Sequence, residues 1–208
     1  MSTFVRSRVR VVARRVMALA CLGLFAAPGV AFALCPAQAV STPFSHWGDA
    51  NRYFPLPGGS FEGSAGQLGW TLSGASLTSG NERFFVNGSG DRQSLSIAGG
   101  GSATSPFFCV DNTMRSLRFF AQQAAAGGDL RVQALVQTRG GVRAVPLADL
   151  ADRSMPSWAP TQPITDGAAA LAHRRSLRAA LRFSVPASAA SWQIDDVYVD
   201  PWRSGREQ

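Results

Sequence analysis

Over run after run in its second half, this chain changes face at every residue. Leu130, Val132, Ala134 and Val136 interleave with Arg131, Gln133, Leu135 and Gln137, and Leu177, Ala179, Leu181, Phe183 and Val185 interleave with Arg178, Arg182 and Ser184. A period of two suits a strand with one dry and one wet face; a helix, whose faces recur every 3.6 residues, would scatter these apolar side chains around its axis. Ser116 to Gln122 puts Leu117, Phe119 and Ala121 on one face, and Trp192 to Pro201 alternates while carrying the adjacent carboxylates Asp195 and Asp196. Shorter runs precede these. Trp70 to Ser73 ends at Gly74, a second run from Leu77 closes at Gly80-Asn81, and Arg83 to Val86 stops at the hairpin-type pair Asn87-Gly88. Ser94 to Ile97 ends in Gly99-Gly100-Gly101, Phe107 to Val110 carries Cys109, and Gly140-Gly141 turns into Val142 to Leu147. Many short strands about ten residues apart, separated by Gly, Asn and Pro, predict an all-β fold, an antiparallel β-sandwich. One helical turn is expected, at Ala168 to Arg175, and one long loop, Pro156 to Pro163, around Trp158. Neither a repeat nor a linker divides the chain.

Residues 1–33 read as a signal peptide. Arg6, Arg8, Arg10, Arg14 and Arg15 form a basic region, Val16 to Val30 is apolar, and Ala31-Phe32-Ala33 supplies small residues for cleavage. Val16 to Leu34 is also nearly long enough to span a bilayer as an anchor, and Ala37-Gln38-Ala39 offers a second cut. On the cleavage reading residues 34–57 form an extended N-terminal arm, residues 58–208 form the sandwich, and the protein is secreted (extracellular) with no membrane contact. All twenty basic residues are Arg, and five leave with the leader. The remainder sets fifteen Arg against thirteen acids, about +2. A nucleic-acid partner requires a clustered basic face, which so balanced a chain does not suggest. Cys35 and Cys109 then form an even pair in an oxidising compartment, and one disulfide is expected.

Gly59-Ser60-Phe61-Glu62, Gly69-Trp70-Thr71-Leu72, Ser94-Leu95 and the terminal Ile194-Asp195-Asp196-Val197 together resemble the galactose-binding-like jelly rolls of carbohydrate-binding modules. The Trp-Gly-Asp, Gly-Ser-Phe-Glu and Asp-Asp-Val-Tyr blocks are also similar to those of uncharacterised secreted bacterial proteins. The first resemblance spans about Gly58 to Tyr198. It implies a jelly roll with neighbouring first and last strands and a structural Ca²⁺ held by Glu62 and by Asp195 or Asp196. Hard oxygen ligands of this kind suit Ca²⁺. The plainer role for these carboxylates is to pair with Arg or to cap turns. Strand alternation turns one of Asp195 and Asp196 inward, and an inward carboxylate needs a partner.

A sugar-binding face needs exposed aromatic rings. Trp47, Tyr53 and Trp158 are the ligand-binding candidates, with Trp192 a fourth, although Trp in a sandwich more often fills the core. No enzyme is expected. His46 and His173 are the only imidazoles, and His173 adjoins Arg174 and Arg175. Ser45-His46 with Asp49 is a string of triad residue types without the geometry a triad requires. The leading expectation is a secreted, non-catalytic binding domain for a glycan or cell-envelope component. The alternative is a structural or protein-interaction sandwich. Oligomeric state is left open.

Overall fold

The structure, a computed structural model, describes residues 35–111, 114–124, 128–150, 155–165 and 177–201. The leader, the expected turn at Ala168 to Arg175, and His173 lie outside the described residues. No helix among the described residues is long and apolar enough to cross a membrane. The strands are β1 (Phe54–Pro55), β2 (Thr71–Ser79), β3 (Gln93–Thr104), β4 (Phe108–Val110), β5 (Met114–Gln123), β6 (Arg131–Thr138), β7 (Gly141–Asp149), β8 (Ala159–Pro160), β9 (Leu177–Ser184) and β10 (Trp192–Pro201). One 3₁₀ turn, Ser45–Trp47, and one four-residue helix, Ala65–Leu68, complete the described elements. The sheet runs β7-β6-β9-β3-β10-β5-β8, with β1 on β10, β2 on β3 and β4 on β9, and all these pairings are antiparallel.

The sheet folds over through β3. Near its start Leu95 and Ile97 pair with Ile194 and Trp192 of β10; near its end Ser102 and Thr104 pair with Ser184 and Arg182 of β9. Gly99, Gly100 and Gly101 lie between these two pairings in a bulge of β3, where residues 98–101 stand opposite the single residue Gly74 of β2, whose φ is +59°. A Cβ on Gly101 would stand 2.3 Å from the Gly74 carbonyl oxygen, so the paired strands bend together only where side chains are missing. The result is a sandwich. Phe119 on β5 and Phe183 on β9 are not neighbours in the sheet, yet their rings meet edge to face at 5.2 Å across the core. Phe61, Trp70 and Phe183 continue the aromatic contact at 4.9 and 6.1 Å. On β6 the expected alternation appears directly, with Val132, Ala134 and Val136 buried and Arg131, Gln133, Leu135 and Gln137 less so. Each buried Val, Leu, Ile or Phe side chain contributes roughly 1.5–3 kcal/mol of transfer free energy.

Residues 35–57 belong to the same compact unit as the strands. Cys35 is bonded to Cys109 of β4, as expected. Phe54 and Leu56 lie in the main core, and Ser41 bridges to Tyr53. The stretch is further held by Asp49, which receives Arg118 Nη1 at 2.6 Å and the Tyr53 hydroxyl at 2.7 Å. Arg118, 4% exposed, also donates through Nε to the Thr161 carbonyl and lies 4.2 Å from the centre of the Phe44 ring. Burial works to raise the Asp49 pKa, but hydrogen bonds from Tyr53, Asn51 and Arg118 outweigh it and the value is lowered.

Local expectations change at several points: the helical turn at Ala65–Leu68 is unexpected, and the expected loop Pro156 to Pro163 carries the two-residue strand β8. Trp70 to Ser73 and the run from Leu77 are one strand, β2, because Gly74 bends it without ending it. Ser94 to Ile97 continues past its glycines to Thr104 for the same reason. Arg83 to Val86 is a loop, with Phe85 at φ +52° and its backbone N–H groups turned onto a carboxylate.

Candidate functional site

β10 carries one residue more than β5 between the pairs Asp195–Phe120 and Tyr198–Arg118. The extra residue is accommodated at Asp196, at φ +46°, a region that Asp tolerates better than most side chains. The bulge defeats the expected opposition of Asp195 and Asp196, and both are buried, at 1% and 2% exposure. From the loop between β2 and β3 come two more carboxylates, Glu82 and Asp91, also buried. Glu82, Asp91 and Asp196 each present one oxygen within 4.8 Å of the others.

Backbone amides neutralise part of this charge. The Glu82 N–H donates to Asp195 Oδ2 and the Asp196 N–H to Asp195 Oδ1. Glu82 in turn accepts the Phe84 N–H on Oε2 and the Val86 N–H on Oε1. Glu62 accepts the Arg92 and Gln93 N–H groups on one oxygen at 2.6 and 2.7 Å. Two oxygens are left over: Asp91 Oδ2 and Asp196 Oδ2 are buried and accept no hydrogen bond. Among the described residues no arginine forms an ion pair with any of these five carboxylates. The nearby Arg92 guanidinium donates to the Ser89 and Asp91 carbonyls.

The electrostatic consequence follows. Burial first, then the charges of Asp195, Asp91, Glu82 and Glu62, push the Asp196 pKa up to about 9. Burial pushes Asp195 up to about 8 against the two amides that lower it, and the charges of Asp91 and Glu82 add to the rise. Asp91 is raised by burial and by Glu62, and lowered by a hydrogen bond with Asn87 and by the Arg92 charge. A buried group of this kind is stable when it is protonated or when a cation is shared among its members. The donors fit a hard divalent cation: they are all oxygens, they converge from two elements, and two are unpartnered. Glu82, Asp91 and Asp196 are the residues that would hold it, two of them outside the expected set. Asp196 remains. Asp195 and Glu62 border the group and, like Glu82, accept backbone amides, and Glu82 and Asp91 enter from a loop that sequence periodicity casts as a strand and its turn.

The aromatic candidates separate. Tyr53 does not offer a stacking face: its ring is fully buried with Phe44, Phe120 and Tyr198, and its hydroxyl is committed to Asp49. Burial and that bond push its pKa up to about 12. Trp192 is fully buried in the core. Trp47 and Trp158 are half-buried, and both pack on the Phe44–Tyr53–Phe120–Tyr198 cluster. Two aromatics outside the expected set stand at the surface, Phe84 at 39% exposure and Phe85 at 45%. Phe84 meets Trp47 edge to face at 4.8 Å and Phe120 at 5.7 Å. These two phenylalanines follow directly on Glu82 and Arg83, so one loop supplies two candidate cation ligands and the surface rings. His46 lies beside Trp47, while Asp49 is held by Arg118 and Tyr53, so Ser45, His46 and Asp49 do not make a triad.

No known protein family matches the sequence, and no curated protein does. Solved structures do. The CBM22-1 xylan-binding domain of Paenibacillus barcinonensis Xyn10C is 14% identical, with 79% of this chain and 97% of that one covered and a TM-score of 0.48. The tandem CBM22-1–CBM22-2 domain of the same protein is 12% identical, with 83% of this chain and 48% of that one covered, at a TM-score of 0.47. TmCBM61, solved with β-1,4-galactotriose, is 16% identical, with 69% and 95% covered, at 0.38. All three are carbohydrate-binding modules, and this chain is similar to them over most of its length at low identity.

Proposed function

We propose that the chain is a secreted, non-catalytic binding domain for a glycan of an extracellular or cell-envelope polymer, with a structural calcium ion at Glu82, Asp91 and Asp196. The observation that carries this reading is the aromatic surface. Trp47 and Phe84 are locked edge to face, both rest on the buried Phe120 ring at 5.4 and 5.7 Å, and Phe84 and Phe85 keep much of their area in solvent. Rings fixed in this way lose little freedom when the apolar face of a pyranose stacks on them. Trp158, half-buried on the same cluster, extends the apolar footing. The acidic group supports a structural role: its carboxylates are buried away from any bond a substrate could present, whereas a glycosidase pair flanks an accessible one.

The test is affinity electrophoresis and calorimetry against a polysaccharide panel that includes xylan, β-1,4-galactotriose and peptidoglycan. Trp47→Ala and Phe84→Ala are compared with Val142→Ala, a change at an exposed residue on β7. The expected result is retention by at least one glycan, weakened about tenfold or more by the first two changes and left alone by the third. A mean loss of this size corresponds to ~1.4 kcal/mol. If no glycan is retained, or if all three variants bind alike, the reading fails and the surface is to be tried against protein partners.

A further inference from the structure

The loop that carries Phe84 and Phe85 is closed at its base by the Gly80 N–H on the Arg92 carbonyl, at 2.8 Å. Within it the Gly88 N–H reaches the Phe85 carbonyl and the Asp91 N–H reaches the Gly88 carbonyl, both at 3.1 Å. Its attachments to the rest of the molecule are largely anionic. Glu62 takes two N–H groups from its trailing end, Asp195 takes one from its leading end, and its own Glu82 takes those of Phe84 and Val86. Asp91 and Asp196 then face this anionic collar with unpartnered buried oxygens. Carboxylates so placed cannot all ionise without pushing the loop away from β10, and β10 itself is fixed by its pairs on both sides. The loop is the part with room to yield: Arg83, Phe84 and Phe85 are exposed, and β2 and β3 begin their pairing only beyond its base.

We propose that loop 80–92 is a cation-held arm: a divalent ion ligated by Glu82 and Asp91 from the loop and by Asp196 from β10 fixes Phe84 against Trp47 with the exposed Phe85 next to it in the chain, so the surface assembles when the ion binds. For ligand binding this rests on the glycan reading above. The ion acts at a distance from the glycan, through the backbone between Glu82 and Asp91, and glycan affinity is therefore calcium-dependent without a calcium–sugar contact.

The test reads the loop and the ligand separately. Limited trypsin digestion, followed by mass spectrometry of the Arg83–Phe84 bond, is run on the protein in calcium chloride and in EDTA. Cleavage there is expected to slow about tenfold or more in calcium, and the isosteric Asp91→Asn variant is expected to lose that response. Equal cleavage of the wild-type protein in both conditions, or an undiminished response in Asp91→Asn, overturns the proposal. Glycan affinity is then measured in the same two conditions, and an equal value in EDTA also overturns it. Protection of the Arg83–Phe84 bond together with no glycan bound in calcium sinks the glycan reading alone and upholds the cation-held arm.

Discussion

Asp196→Asn keeps the shape of the side chain and removes its need to hold a proton, and in a chelator this substitution stabilises the protein. The size of the effect follows by two routes. Asp196 brings an oxygen within 4.8 Å of oxygens from Glu82 and Asp91, and at an effective dielectric constant of ~20 each such charge pair repels by about 3.5 kcal/mol. At pH 7 the carboxyl avoids that repulsion by keeping its proton, since its pKa is about 9 against an ordinary 3.8. Keeping a proton at pH 7 costs about 1.4 kcal/mol for each pH step above 3.8, close to 4 kcal/mol in all. An amide carries neither burden. After a loss for imperfect hydrogen bonding of its NH₂ group, the net gain is about 2–4 kcal/mol, a rise in Tm of about 5–15 °C for a domain of this size. In calcium the sign reverses, because the variant lacks a ligand and gains nothing from the ion. Urea unfolding followed by circular dichroism, in EDTA and in calcium, reads both signs in one experiment. An Asp196→Asn protein less stable than wild type in EDTA would refute the reasoning, because it would mean that the carboxylate is already satisfied in the protein alone.

Further outcomes follow from other features. Replacing Cys35 and Cys109 together by Ala frees a loop of 74 residues, and denaturant unfolding is expected to show a loss of about 2–4 kcal/mol, roughly 4 being the chain-entropy ceiling. Gly101→Ala drives a Cβ to 2.3 Å from a backbone oxygen, so its expected loss exceeds about 2 kcal/mol in the same assay. Gly140→Ala, where nothing lies within 4 Å, is expected to stay within about 0.5 kcal/mol. The raised pKa values of Asp195, about 8, and Asp196, about 9, mean that the folded protein holds more protons than the unfolded chain above pH 3.8. Stability in EDTA therefore falls as pH rises from about 4 to 9, and calcium flattens that fall; a Tm in EDTA that climbs between pH 5.5 and 8.5 contradicts the assignment.

Where each residue's face depends only on strand periodicity, the sequence was legible. Val132, Ala134 and Val136 alternate inward in the chain and in the fold, and Cys35 and Cys109 find each other because the sandwich closes around them. Legibility failed where one residue breaks the period. Asp196 in its bulge puts two adjacent carboxylates on the buried side, which a strict two-residue repeat forbids. It failed again at Arg83 to Val86, where apolar residues suggested a strand and the Glu82 carboxylate instead gathers the backbone N–H groups into a loop. Glu82 and Asp91, nine positions apart in that loop, have no spacing signature, since the interaction that brings them together is with the far end of the chain. Tyr53 was misplaced for a different reason. Its partner Asp49 lies four residues away, but the cavity that takes its ring is built by Phe44, Phe120 and Tyr198 from three separate segments.

The place of β10 sets the order in which this domain can form. It follows every other described strand in the chain, yet it lies inside the sheet, hydrogen-bonded to β3, β5 and β1. Until it arrives, β3 and β5 each show an open edge, and Leu95, Ile97, Phe119 and Ala121 lack the Trp192 and Ile194 side of their core. Folding is therefore a single late event dominated by contacts between distant parts of the chain, which makes it slow and leaves the emerging polypeptide sticky along those edges. A ribosome-bound chain stalled before Trp192 should yield no protease-resistant fragment, whereas one extended past Pro201 should yield the whole domain at once.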